Sequence, residues 1–101
     1  MHMTVNITQG HYEAKLADRM GFSDHKTFRT MVQDISASGA KECTLELTDL
    51  TAIDSAGLGM LIIAIEAAKA EGWSLTVKGA QGTVKQLLML ARFDKLVRMV
   101  D

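Results

Sequence analysis

Apolar residues recur along this chain with two periods, and each switch between them marks a new element. Residues 4–8 (TVNIT) alternate, with Val5 and Ile7 on one side, as an edge or hairpin strand does. Gln9-Gly10 reads as a turn, and residues 11–17 (HYEAKLA) put Tyr12, Ala14 and Leu16 on one face of a second strand. The period then lengthens. Ser23 offers an N-cap with Asp24 in the first turn, where the helix dipole favours an anion, and Phe28, Met31, Val32 and Ile35 follow at helical spacing up to Ser38-Gly39.

Alternation returns at residues 42–48 (ECTLELT), where Cys43, Leu45 and Leu47 point one way as in a core strand. Residues 49–54 (DLTAID) read as a loop, and a strongly apolar helix is expected from about Ser55 to Ala70, closed by Gly72 at its C′ position. A strand over 73–77, a loop over 79–82 and an amphipathic helix over 83–91 follow, the last with Val84, Leu87, Leu88 and Ala91 inward. Residues 95–100 (KLVRMV) alternate as a last strand. The order β-β-α-β-α-β-α-β predicts an α/β fold, a small mixed sheet with helices packed against it, in a single domain over residues 1–101. Met1-His2-Met3 reads as a cloning scar ahead of a native start at Met3.

Composition narrows the function classes. Eleven Lys+Arg against twelve Asp+Glu give a net charge of -1 with no basic cluster, so neither nucleic acid nor an anionic membrane is an expected partner. Cys43 is the only cysteine, which excludes an internal disulfide and suits a reducing compartment. No apolar run is long enough to span a bilayer, and no charged leader precedes an apolar block, so a cytoplasmic location is expected. His2, His11 and His25 lack metal-site spacing. Ser55 lacks the Gly-x-Ser-x-Gly elbow of a hydrolase and has no assignable base, and residues 79–82 are not a Walker loop. The chain is therefore expected not to be an enzyme and to need no cofactor or metal.

The informative stretch is Ile53-Asp54-Ser55-Ala56-Gly57-Leu58-Gly59. A serine starts a helix there, where free backbone N–H groups and the dipole accept negative charge. A phosphate on Ser55 would add about -1.5 to -2 charges at pH 7. Gly57 and Gly59 each cost helix stability by roughly 1 kcal/mol against Ala, which points to close approach by another backbone. The helix that follows has two apolar faces. Leu58, Leu61, Ile62 and Ile65 keep core spacing, while Met60, Ile63, Ala64 and Ala67 form a second face, read as buried under a neighbouring helix or open to a partner.

The run from Leu45 to Gly59 (LELTDLTAIDSAGLG) resembles the signature of STAS domains, specifically bacterial anti-sigma factor antagonists. The resemblance extends to Gly21-Phe22-Ser23 with Phe28-Arg29, and to Phe93-Asp94-Lys95-Leu96. It implies that Ser55 is the phosphoacceptor of a serine kinase of the anti-sigma or switch-kinase type, reset by a serine phosphatase. Asp49 and Asp54 occupy matching motif positions and would shape the loop or meet the kinase. Together with the helix face that follows Ser55, the expected partner surface is Asp49, Asp54, Ala56, Gly57, Leu58, Met60 and Ala64. Many family members carry an acidic residue near position 21, where this chain has glycine. The expected function is a phosphorylation-controlled binding switch. The alternative is a constitutive accessory or scaffold subunit of a transporter or signalling complex, in which Ser55 only caps its helix.

Overall fold

The computed structural model describes residues 1–101. β1 (His2–Thr8) and β2 (His11–Met20) form an antiparallel hairpin through Gln9 and Gly10, both with positive φ. α1 (His25–Ser38) follows, then β3 (Glu42–Glu46), β4 (Leu50–Ile53), α2 (Ser55–Glu71), β5 (Ser74–Lys78), α3 (Gly82–Leu90) and β6 (Arg98–Val100). The strands lie in the order β1-β2-β3-β5-β6, and all pairs except the hairpin are parallel. The expected α/β architecture with a mixed sheet is what forms.

One face of the sheet carries the core. Tyr12, Ala14 and Leu16 of β2, Cys43 and Leu45 of β3, and Leu75 and Val77 of β5 join the four expected residues of α1 in one buried cluster. Of the alternate strand residues, Lys15, Glu42 and Lys78 are exposed, and Glu13, Glu46 and Thr76 are half-buried. Thr44 is the buried polar exception on that side, with its hydroxyl 2.9 Å from His11 Nε2. Cys43 is buried as expected, and burial pushes its thiol pKa up to about 12. No helix is long and apolar enough to cross a membrane.

Four local expectations change. Residues 50–53 form a strand, not a loop, because β2 runs three residues beyond Ala17 and supplies a parallel partner. β2 thus serves β3 with its first half and β4 with its second. A register shift between Asp18 and Arg19 divides the two, with Asp18 in the left-handed region at φ 69°. Ser23 does not cap α1. A 3-10 turn, Phe22–Asp24, intervenes, and the Asp24 carboxylate folds back onto the Gly21 N–H at 2.9 Å while meeting the Met1 ammonium at 3.1 Å. β1 begins at His2, two residues before the expected start at Thr4, with His2 paired to Ala17 in the hairpin. The last strand is shorter than its alternation suggests, because a second 3-10 turn, Phe93–Lys95, anchored by buried Phe93, takes up its start.

Candidate functional site

The start of α2 is held from three sides. Ile53, the last residue of β4, is buried, and the Asp54 N–H donates to the Met20 carbonyl at 3.3 Å. Asp54 stays extended at φ -103° and ψ -176°, and its Oδ1 accepts from the Gly57 N–H at 2.8 Å. Its carbonyl accepts the first helical bond, from the Leu58 N–H at 3.0 Å. Asp54 is therefore the N-cap, taking up one of the donors a helix start leaves free. Ser55 is the first helical residue and is exposed. The reading in which Ser55 serves only as the cap is overturned, because the preceding carboxylate already performs that duty.

The two glycines do different work. A Cβ on Gly57 would stand 2.5 Å from Ile53 Cγ1 and 2.9 Å from the Met20 carbonyl oxygen. Gly57 is buried, and the backbone that approaches it closely is the chain's own β2, not a partner's. Nothing lies within 4 Å of a Cβ on Gly59. A third glycine, Gly21, packs against the same cap. Its Cβ would meet Asp54 Oδ2 at 2.8 Å, so a side chain there displaces the capping carboxylate.

Met60 and Ala64 are corrected as partner contacts. They are 1 % and 0 % exposed, so both belong to the core. The buried stripe of α2 is Gly57, Met60, Leu61, Ala64, Ile65 and Ala68, helical in period but turned by one residue from the expected stripe that began at Leu58. Leu58 and Ala56 are half-buried, and Ile62, expected inward, is exposed. Ser55, Gly59, Ile62 and Glu66 fall along one line of the helix at steps of four and three. Asp49 is exposed but stands before β4 while Ser55 follows it, so a four-residue strand of roughly 13 Å separates them. The Asp49 carbonyl instead accepts the Asp18 N–H at 3.1 Å, fixing the bend in β2.

The structure adds Phe22. This aromatic is 79 % exposed on the 3-10 turn that packs against α2, directly after the glycine touching Asp54. A large aromatic outside any periodic run, between the second strand and the first helix, was the available signal. Phe22, half-buried Leu58 and exposed Ile62 thus give α2 and the turn packed against it apolar surface on the side of the chain that carries the helix of Ser55. A second apolar area, on α3, is formed by Met89 and Leu90. A cavity of about 550 Å³ is lined by Glu42, Thr44, Trp73, Thr76 and Arg98 among others, and includes none of the residues at the start of α2. No three His, Cys, Asp or Glu residues gather as a metal site would require.

Comparison with known proteins agrees with this fold. A family model described as "Mlab, STAS domain" matches residues 3–100. A Thermotoga maritima protein assigned as an anti-sigma factor antagonist superposes with a TM-score of 0.88 at 20 % identity, over 98 % of this chain and 86 % of that one. The Bacillus cell fate determinant SpoIIAA in its phosphorylated form gives 0.77 at 12 % identity, over 99 % and 92 %. A sulfate transporter family protein from Wolinella succinogenes gives 0.82 at 17 % identity, over 95 % and 80 %. At these identities the superpositions establish a shared fold.

Proposed function

The chain belongs to the STAS domain family, and from that premise we propose that it is a phosphorylation-controlled protein-binding switch with Ser55 as the phosphoacceptor. The observation that carries this reading is the division of labour at the start of α2. Asp54 caps, Ser55 is exposed, and the hydroxyl is left with no structural duty. The likeness to a SpoIIAA structure in the phosphorylated form supports it.

In the unphosphorylated state, Phe22, Leu58 and Ile62 anchor a regulator of the serine-kinase, anti-sigma type over the helix start. These residues replace Met60 and Ala64 in that role. A few desolvated apolar anchors commonly carry most of the affinity of such a complex. Transfer of a phosphoryl group to the Ser55 hydroxyl places about two negative charges under the partner, next to the Asp54 carboxylate. Burying that charge without a counter-ion costs several kcal/mol, and each 1.4 kcal/mol is tenfold in affinity, so the complex separates. A serine phosphatase restores binding.

The test is intact mass and phosphopeptide mapping after incubation with ATP and a cognate kinase, followed by titration against the partner. One phosphate on Ser55 and weakened binding are expected, with Ser55→Ala retaining affinity and losing control. Phosphate on Ser23, Ser36, Ser38 or Ser74 instead would sink the proposal. The likeness to a sulfate transporter family protein favours a second reading, a constitutive accessory or scaffold domain. In that case kinase treatment leaves both mass and affinity unchanged.

A further inference from the structure

β1 borders the sheet and pairs along only one of its edges. Its seven register pairs with β2 run without a bulge, and it holds no Lys, Arg, Asp, Glu, proline or glycine. Edge strands are normally blunted by charge, proline or bulges, because their free N–H and C=O groups template a further strand. Here all three devices are missing. Val5 is 40 % exposed and Ile7 56 %, although they stand opposite buried Ala14 and Tyr12 in the register.

An open groove of about 310 Å³ runs between this strand and α1, with Met3 and Val5 on one wall and Lys26, Thr30 and Asp34 on the other. α1 runs in the same direction as β1. The Met1 ammonium holds Asp24 at one end, and the Lys41 N–H donates to the Gly10 carbonyl at 2.9 Å at the other. Lys26 therefore lies toward the Met3 end of β1, and Asp34 toward the Ile7 end, beside Tyr12, the register partner of Ile7.

We infer that β1 pairs antiparallel with β1 of a second copy of this chain, about a twofold axis at Val5, joining two sheets into one. That register sets Val5 against Val5 and Met3 against Ile7, so the apolar residues of both strands share a face. The same axis lays the two α1 helices antiparallel over that face, with Lys26 of each copy directed toward Asp34 of the other. A parallel pairing through the same two edges would instead put the two α1 helices on opposite faces of the joined sheet, and Lys26 and Asp34 would have no partner there. The twofold arrangement closes at two copies, using both free edges, and does not involve Ser55.

Sedimentation velocity on the full chain over a wide concentration range tests this. A reversible dimer is expected. Val5→Lys, at an exposed position, should keep the native circular dichroism and weaken association by about tenfold or more, since two ammonium groups then meet at the axis. Lys26→Asp and Asp34→Lys should each weaken the dimer, and the double exchange should restore it. Leu90→Lys on α3 should change nothing. If Val5→Lys fails to fold, the charge exchange still decides. A monomer at every concentration, a dimer indifferent to Val5→Lys, or no recovery in the double exchange overturns the inference.

Discussion

In α1, Phe28, Met31, Val32 and Ile35 are buried and the charged and polar residues between them are exposed. α2 is apolar on almost every side, yet it buries only one stripe. The amphipathic helix has a single low-energy way to face the sheet, because rotating it would bury Arg29 or Asp34. The apolar helix carries no such penalty. Its rotation is decided by the one residue that fits against β2, and that residue is Gly57. What a helix displays to a partner is therefore readable from pattern in α1 and only from packing in α2.

The sharpest break of this comparison is a charge at Met60 or Ala64. Met60→Glu should abolish cooperative folding in a circular dichroism melt, since burying an unpaired carboxylate costs a large fraction of the 5–15 kcal/mol, roughly, that holds a domain together. Phe28→Ala in α1 should cost about 3–5 kcal/mol in a urea titration. A folded Met60→Glu protein would return that position to the surface and refute the observed rotation.

Next come the glycines. Gly57→Ala should destabilise by about 1–3 kcal/mol, because the new methyl meets Ile53 and the Met20 carbonyl. Gly59→Ala should instead stabilise by up to about 1 kcal/mol, since nothing opposes it. Equal effects from the two would remove Gly57 as the determinant of the helix's rotation.

The cap gives a smaller contrast. Asp54→Ala should lose about 1 kcal/mol while Ser55→Ala stays within about 0.5 kcal/mol, both read by denaturant midpoint. The opposite ranking would make Ser55 the cap. Ile62→Glu should be as neutral to stability as Ser55→Ala, while weakening partner binding.

The smallest effect concerns pH. The hydrogen bond from the Gly21 N–H holds the Asp24 carboxyl below its usual pKa, aided by the Met1 ammonium. A depressed carboxylate stabilises above its unfolded pKa of about 3.9, and that contribution disappears as pH falls through the folded value. Asp24→Asn should therefore flatten the acid limb of a stability profile and leave its alkaline side unchanged. An unaltered acid limb would remove Asp24 from the account.

Much of this molecule was legible before its structure. The alternation of Tyr12, Ala14 and Leu16, and of Cys43 and Leu45, located two core strands. Gly39 and Gly72 ended their helices with left-handed backbone as glycine allows. The segment 50–53 was not legible as a strand, because its only partner is the far half of β2, thirty residues earlier, beyond a bulge that no local pattern announces. Phe22 went unassigned for a related reason. A single exposed aromatic has no period, and the turn that carries it packs against α2, far along the chain.

At the candidate site the sequence by itself determined the chemistry. The Asp-Ser pair at a helix start, two nearby glycines and an apolar helix were all present in the residues from Ile53 to Ile65. Tertiary structure alone decided which of these groups faces outward. Ile62 is the more hydrophobic of the pair, yet it is Met60 that is buried, so hydrophobicity alone would turn the helix the wrong way. The contact between Gly57 and the Met20 carbonyl decides instead, because it turns α2 until Met60 enters the core and leaves Ile62 and Ser55 in solvent.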